Sequence, residues 1–421
     1  MFRFESRLPR PAIFCVAILV LCASALSACG PAPRVNVPPP PPQAVPPPPP
    51  PNAPPPPPPP QAETPPPPVA AAPAPLPPDG KVRIGLLLPL SGSSSALGQA
   101  MLDAAVMAVY DVGADQIQLM PHDTGTSRQG AAEAAQAAIG DGVRLIIGPL
   151  LAADVEAVKP IARQANVPVI AFSTVAGLAG DGTYLIGFQP AQEIARVVGY
   201  AHAKGASHFA IFAPRTAYGA LARRALEQAV TANQSSLDIV GEYEPNVNAF
   251  NDAARAFARQ GKKYDAVLIP DGGARLKAVA PLLAYYDVDP DKIHFLGTGL
   301  WDDPTLGTES NLVNGWYAAP PPQAREDFER RFKDAEGHPP PRLATLAYDA
   351  AALAAVLAKN PAGPDFSASA LTNPSGFVGL DGVFRLQDNG VVERELAVLS
   401  VGRDGPKVID PAPHDFMTPM Q

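Results

Sequence analysis

The sequence predicts an α/β fold with two doubly wound, mostly parallel sheets, preceded by a disordered proline-rich arm. Short apolar runs alternate with helical patterns after about residue 80, and at least eight such runs occur. Of the 55 prolines, 28 fall between residues 31 and 80. Repeated strand–helix units form parallel sheets with helices on both faces, and eight strands fit two sheets better than one.

The strand–helix units follow one another along the chain. Val82–Leu88 is a continuous apolar run typical of a buried parallel strand, and 97–111 carries an apolar stripe at helical spacing. The later apolar runs are also predicted as strands: 117–122, 143–147, 168–172, 208–213, 237–243, 265–269 and 293–296. The predicted helices are 131–139, a segment from Asp154 as candidate N-cap to Gln164, and 191–204, 216–233, 249–261 and 273–286. The tail, 381–386 and 393–401, alternates apolar and polar residues and predicts an antiparallel hairpin.

The first thirty residues have the pattern of a bacterial lipoprotein signal. Three arginines precede an apolar run, 12–21, that is too short to hold a membrane by itself. The run ends in Leu-Ser-Ala-Cys29-Gly30, which resembles the bacterial lipobox. The resemblance implies that residues 1–28 are cleaved, that Cys29 is acylated, and that Gly30 directs the protein to the outer membrane. The alternative is an ordinary secretory signal with a chance cysteine.

Residues 29–79 join the predicted lipid anchor to the predicted domain. Proline fixes φ and donates no backbone hydrogen bond, so residues 31–78 favour an extended polyproline II arm over packed structure. At about 3.1 Å per residue, such an arm would reach on the order of 150 Å. Composition fits two roles equally well: a semi-rigid spacer from the membrane, or a solubilising tether with no length requirement.

Charge and motif content exclude several functional classes. The chain has a net charge of −8, whereas nucleic-acid binders usually present a basic surface. Its six histidines are scattered, so no metal site is predicted. The common nucleotide-binding, hydrolase and metalloprotease motifs are missing from the sequence. Asp123-Thr124-Gly125 resembles an aspartic protease triad but falls in a strand–helix unit, where a turn is the simpler interpretation. We therefore predict neither an enzyme nor a bound cofactor or metal.

The candidate binding residues lie in the loops after the predicted strands, where open α/β sheets bind ligands. Hydroxyls and helix-start N–H groups suit a carboxylate, an aspartate suits an ammonium, and aromatic rings form an apolar wall. The same residue types also cap helices and fill cores, so each has a structural interpretation as well. The ligand cleft candidates are Ser91, Ser173, Thr174, Tyr218, Asp271 and Trp301, with Asp302 as a second candidate for an ammonium.

Several segments resemble the type 1 periplasmic-binding fold of leucine/isoleucine/valine-binding proteins. They are 84–92, 145–149, 168–173, 218–219 and 343–350, and the resemblance covers nearly all of residues 80–421. It implies a first lobe at about 80–189 and 317–391 and a second lobe at about 190–316 and 392–421. The hinge candidates are Gln189, Pro190 and Tyr317.

Three further segments, 266–273, 281–286 and 295–303, resemble the penicillin-binding protein activators. This implies a non-enzymatic lipoprotein, anchored in the outer membrane and facing the periplasm, that binds and stimulates a peptidoglycan synthase. The alternative is a periplasmic receptor for a small ligand, a branched-chain or related amino acid, serving transport or sensing. Leu150 stands near the position where amino-acid receptors carry a carboxylate-binding serine, which favours the activator. Ser173-Thr174 matches their second carboxylate loop, which favours the receptor.

Overall fold

The computed structural model describes residues 80–261 and 263–416, which form two α/β lobes. The predicted signal peptide, Cys29 and the proline-rich arm lie outside the described residues. The predicted α/β fold with two mostly parallel sheets is confirmed.

The first lobe is built on a five-stranded, fully parallel sheet in the order β2-β1-β3-β4-β5. The strands are β1 (Val82–Leu88), β2 (Ile117–Asp123), β3 (Leu145–Ile147), β4 (Val169–Ala171) and β5 (Thr183–Leu185), with helices α1 (Ser95–Val112), α2 (Arg128–Gly140) and α3 (Ala152–Gln164). Buried alanines let α2 and α3 pack closely on one face of the sheet, and α1 covers the other. Asp154 lies in the first turn of α3 rather than capping it, because the chain enters the helix one turn earlier, at Leu151.

The second lobe repeats the strand–helix pattern from α4 onward. Its elements are α4 (Pro190–Ala203), β6 (His208–Pro214), α5 (Ala217–Ala232), β7 (Ser236–Tyr243), α6 (Val247–Ala258), β8 (Ala266–Leu268), α7 (Gly273–Tyr285), β9 (His294–Gly297) and β10 (Trp316–Ala319). Helices α4 and α5 cover one face of this sheet, and α6 and α7 cover the other. Each face is therefore sealed by apolar side chains, as expected for a parallel sheet.

The chain then returns to the first lobe. Helices α8 (Gln323–Glu336), α9 (Ala344–Ala358) and α10 (Ala368–Leu371) precede a small antiparallel sheet of β11 (Phe377–Gly379), β12 (Gly382–Leu386) and β13 (Val392–Arg394). Phe328 and Phe332 of α8 pack against Ala100 and Ala104 of α1. The alanine-rich α9 also packs on the first-lobe core. This late segment is therefore an integral part of the first lobe.

Two final strands complete the second lobe: β14 (Ala397–Ser400) and β15 (Lys407–Asp410). They extend the second sheet in the order β15-β14-β10-β9-β8-β6-β7, and both run antiparallel to their neighbours. The predicted tail hairpin is thus correct for β12 and β13. Its second arm is wrong beyond Arg394, because Ala397–Ser400 pairs with β10 instead.

The chain crosses between the lobes three times. The first crossing, Gly187–Gln189, lies beside Gln189 and Pro190, whose role as a hinge stays a prediction. The second lies later than predicted, because Tyr317 is a buried residue of β10 inside the second sheet, and the crossing is the run 320–322, all proline. The third follows Arg394 rather than residue 391, because β13 belongs to the first-lobe core.

Candidate functional site between the two lobes

The carboxyl ends of both sheets meet at the junction between the lobes. Helix α4 starts directly after the first crossing, and Glu193 in its first turn accepts a hydrogen bond from the Gly299 backbone N–H (2.8 Å), just beyond β9. Asp302, in the same loop, bonds to α8 of the first lobe. The predicted binding residues lie in or directly after the loops that follow β1, β4, β6, β8 and β9, at the carboxyl ends of these strands.

Ser91 lies after β1 in a loop organised by Asp123. One carboxylate oxygen of Asp123 accepts backbone N–H bonds from Leu90 (2.8 Å), Ser91 (3.2 Å) and Gly125 (2.8 Å). The Ser91 hydroxyl also hydrogen-bonds this carboxylate, and these bonds hold the pKa of Asp123 below its usual value. The turn interpretation of Asp123-Thr124-Gly125 fits these contacts. Ser91 is exposed, but its hydroxyl already serves the loop.

Ser173 and Thr174 follow β4. Ser173 is buried, and its hydroxyl oxygen accepts the backbone N–H of Val175 (3.2 Å), which forms a tight turn. Thr174 is exposed. On the second lobe, the Tyr218 hydroxyl lies 2.9 Å from the hydroxyl oxygen of the fully buried Thr298. Ser173 and Tyr218 therefore both make local hydrogen bonds, and both follow the carboxyl ends of their strands.

Both carboxylate oxygens of Asp271 already accept hydrogen bonds from neighbouring side chains. It is 1% exposed, accepts the Tyr243 hydroxyl (2.7 Å), and pairs with the Arg275 guanidinium through Nε (2.9 Å) and Nη2 (2.8 Å). An ammonium group would have to displace Arg275 to bind there. The expectation that Asp271 holds an ammonium therefore fails, because its charge is already neutralised.

Trp301 does not line the cleft. Its side chain is 1% exposed within the second-lobe core, and its indole N–H donates to the Ile269 carbonyl (3.2 Å). The prediction of an apolar cleft wall at Trp301 is wrong, because burial of the large ring outweighs its position in a loop.

Four charged side chains lie together between the lobes, and we call them the interlobe ion cluster: Asp302, Arg325, Arg342 and Asp381. Asp302 of the second lobe receives Arg325 Nη2 (2.9 Å) and Arg342 Nε (3.0 Å), and Arg325 Nη1 lies 2.8 Å from its second oxygen. Arg342 also donates to Asp381 (2.7 Å). The two carboxylates are 3% and 0% exposed. Each buried negative charge is therefore balanced by an arginine in direct contact.

Further first-lobe residues surround the interlobe ion cluster. The Arg394 guanidinium lies 3.4 Å from Asp349 and donates to the Asp381 carbonyl (3.0 Å). Burial raises the pKa of Asp349 to about 7. For Asp381 burial is the largest single effect, but the charges of Arg342 and Arg394 together with the hydrogen bonds that the carboxylate accepts outweigh it and lower the pKa. The Phe188 ring, at the first crossing, lies 4.5 Å from the Arg342 guanidinium carbon and 5.5 Å from that of Arg394. All three crossings of the chain thus lead to this region.

Sequence reasoning missed most of the interlobe ion cluster. Its members span 302–381 and share no motif, so only the fold brings them together. Asp302 was singled out, but as a ligand for an ammonium rather than for two arginines of the same chain.

Comparison with known proteins identifies the family. A family model described as "Periplasmic binding protein" matches residues 81–406, about three quarters of the sequence. The chain belongs to the periplasmic binding protein family. A curated relative, an uncharacterised protein of Rickettsia prowazekii, is 21% identical over 221 residues, which cover 51% of this chain and 59% of that protein. The match thus spans less than two thirds of the relative.

Solved structures show the same fold. A putative branched-chain amino acid ABC transporter protein from Rhodospirillum rubrum has a TM-score of 0.68 at 18% identity, covering 78% of this chain and 100% of that one. A ligand-binding protein of the same transporter type from Burkholderia xenovorans gives 0.67 at 17%, covering 78% and 94%. A solute-binding protein from R. palustris, solved with benzoate, gives 0.60 at 19%, covering 80% and 98%. The activator subfamily is not distinguished by these matches.

None of the helices within residues 80–416 is long and apolar enough to cross a membrane. In the same part of the chain, no group of three or more His, Cys, Asp or Glu side chains is placed to hold a metal ion.

We predict that Glu193 makes stability depend on pH. Burial raises its pKa to about 7, so the folded protein keeps a proton that the unfolded chain has lost. Stability should therefore fall as pH rises from about 4.5 to 7, by on the order of 3 kcal/mol. Glu193→Gln cannot titrate and should be more stable than the wild type at pH 8 but not at pH 4.5, as measured by urea unfolding.

The exposed Glu227→Gln provides the control, and Asp349→Asn tests another carboxyl whose pKa burial raises to about 7. Identical pH profiles for Glu193→Gln and the wild type would show that Glu193 is not the responsible group.

Proposed function

We propose that the protein is a non-enzymatic envelope lipoprotein that binds and stimulates a peptidoglycan synthase from an outer-membrane anchor. In this proposal its two lobes act as a rigid protein-binding module and not as a hinged trap for a solute. The observation that carries the proposal is the interlobe ion cluster.

A transport receptor requires lobes that move about a hinge to close on ligand. Here Asp302 of one lobe is held by two arginines of the other, so a change in the angle between the lobes would have to break three close charge contacts. The second crossing, 320–322, consists of three prolines, whose fixed φ angles further limit rotation. Both features favour one stable angle between the lobes.

The chemistry of the cleft also supports this proposal. The aspartate best placed to receive an ammonium, Asp271, is neutralised by Arg275. Leu150 and Leu151 occupy the loop after β3, near the position where amino-acid receptors carry a carboxylate-binding serine. A zwitterionic amino acid would therefore find neither of these groups available.

The partner and the anchor rest on sequence resemblance. The segments 266–273, 281–286 and 295–303 resemble penicillin-binding protein activators, and the lipobox at Cys29 provides the lipid anchor. An arm of about fifty residues, at ~3.1 Å per residue in polyproline II, would let an outer-membrane protein reach a synthase held at the inner membrane.

We predict that the full-length lipoprotein in detergent binds the purified bifunctional peptidoglycan synthase of the same organism and raises its rate of glycan polymerisation. The reaction would be followed with a fluorescent lipid-linked precursor. Heat-denatured lipoprotein is the control. If the native lipoprotein neither binds nor stimulates any bifunctional synthase of the organism, the proposed function fails.

We further predict that Asp302 fixes the angle between the lobes. One spin label would be attached at each of two exposed positions, Gln164→Cys on α3 and Gln228→Cys on α5, in a chain whose three native cysteines are replaced by serine. Double electron–electron resonance should then give a single narrow distribution of distances between the two labels. Asp302→Ala should broaden or shift it, because Arg325 and Arg342 lose their shared acceptor.

The matched control is Asp327→Ala on α8, which also removes a carboxylate shared by two arginines, Arg330 and Arg331, but on the surface. Such exposed pairs contribute only about 0–1 kcal/mol. A wild-type distribution that is broad and narrows on addition of a small solute would contradict the rigid module and favour a receptor.

The receptor alternative is favoured by one observation: Ser91 and Ser173 remain at the carboxyl edge of the first sheet, beside backbone N–H groups. Solved relatives are described with isoleucine and with benzoate, both carboxylates. A ligand at about 1,000 times its dissociation constant stabilises a protein by about 4 kcal/mol. We predict no thermal shift with isoleucine or benzoate. A shift of several degrees that Ser173→Ala abolishes would establish the receptor alternative.

A further inference from the structure

We propose that Glu193 is a pH switch for the angle between the lobes. When its carboxyl is protonated, it keeps the turn before Asp302 in place, and when it ionises, the contact between Asp302 and the first-lobe arginines loosens. This inference goes beyond the proposed function, because the switch works without a partner.

Glu193 packs directly against the turn that leads into the interlobe ion cluster. Its Oε2 accepts the Gly299 backbone N–H at 2.8 Å, and a Cβ added at Gly299 would lie only 2.6 Å from its Oε1. Gly299 begins the turn 299–301, and its carbonyl accepts the backbone N–H of Asp302 at 3.0 Å. A single hydrogen-bonded turn thus joins the Glu193 carboxyl to the backbone of Asp302.

The surroundings of Glu193 favour its protonated form. The residue is 4% exposed, and within residues 80–261 and 263–416 no lysine, arginine or histidine lies within ion-pair distance of its carboxyl. A buried carboxylate without a cation in contact is strongly disfavoured relative to the neutral acid. In agreement with this geometry, burial raises the pKa of Glu193 from its ordinary 4.5 to about 7.

Ionisation of Glu193 would disturb the interlobe ion cluster. Asp302, in the loop after β9, raises the pKa of Glu193, and Arg342, in the loop before α9, lowers it. Arg342 already donates to Asp302 and to Asp381. An ionised Glu193 would be a third carboxylate competing for Arg342, and the cluster would carry a negative charge that its two arginines do not balance.

In the described part of the chain, the other groups around Glu193 do not supply a free cation. Tyr218 of α5 stays neutral, because burial and the charges of Glu193 and Asp271 raise its pKa. Arg196, one turn further along α4, is bonded to Asp410. Strands β9, β10 and β14 meet α4 with apolar side chains. Hydration then becomes the way to stabilise the charge, which favours arrangements of the lobes that let water reach Glu193.

Proton binding favours the observed lobe angle. In the observed arrangement Glu193 binds its proton more tightly than in a hydrated one, where its pKa would be the ordinary 4.5. The observed angle is therefore favoured at low pH and loses this advantage as pH rises from about 4.5 to 7. Between pH 5.5 and 8.5 the ratio of loosened to observed arrangements should rise by up to about 30-fold.

The test is double electron–electron resonance at pH 5.5 and pH 8.5 on the full chain labelled at Gln164→Cys and Gln228→Cys. Without further change, this chain should give one narrow distribution at pH 5.5 and a broader or shifted one at pH 8.5. Glu193→Gln is neutral at both pH values and should stay narrow at both. Glu336→Gln, at an exposed position on α8, is the matched control and should broaden as the unchanged chain does.

The same measurement can overturn the proposal in two ways. A distribution that does not change with pH in the labelled chain would do so. Asp349→Asn removes the other buried carboxyl whose pKa is raised to about 7, and the switch is not Glu193 if this variant stays narrow while Glu193→Gln still broadens. Circular dichroism melting would identify misfolded variants, and Glu193→Met, which is also unable to ionise, replaces Glu193→Gln if that variant fails to fold.

Discussion

The angle between the lobes depends on one interaction. Two arginines of the first lobe, Arg325 and Arg342, both contact the carboxylate of Asp302 in the second lobe. The carboxylate is 3% exposed, so its charge is tolerable only while Arg325 and Arg342 remain in contact. Arg342 in turn holds Asp381, whose backbone carbonyl accepts Arg394. Any change in lobe angle must break this chain of contacts at Asp302. A buried ion pair adds little net stability, yet it strongly disfavours every arrangement that separates its partners.

The fold was largely predictable because each strand is short, apolar and separated from the next by a helical period. Those signals are local, and they located β1 to β4 and β6 to β9. The missed strands have weaker local signals: β5 (Thr-Tyr-Leu) and β10 (Trp-Tyr-Ala-Ala) lack the run of aliphatic residues that marks the others, and β10 is followed directly by prolines. The tail was half correct, because alternation predicts a strand but does not reveal which of two sheets will accept it.

The site was predictable in position but not in chemistry. Strand ends located the right loops, yet the role of each side chain depended on neighbours distant in sequence. One signal was available: Asp271 and Arg275 stand four residues apart at the start of a helix, a spacing that favours an ion pair. Trp301 carried no such signal, and only the packed core shows that its ring points inward. The interlobe ion cluster joins three loops and helix α8, and its members share no sequence motif.

Three consecutive residues connect these features. Leu300 is exposed, Trp301 is buried in the second-lobe core, and Asp302 belongs to the interlobe ion cluster. Since the short turn 299–301 offers little slack, a shift of Asp302 relative to the first lobe must also move Leu300 relative to Leu151 and Val175. A ligand or partner that contacts both lobes at this junction would therefore stabilise the lobe angle that the interlobe ion cluster sets. By linkage, the ion cluster would strengthen that partner's binding to the same extent.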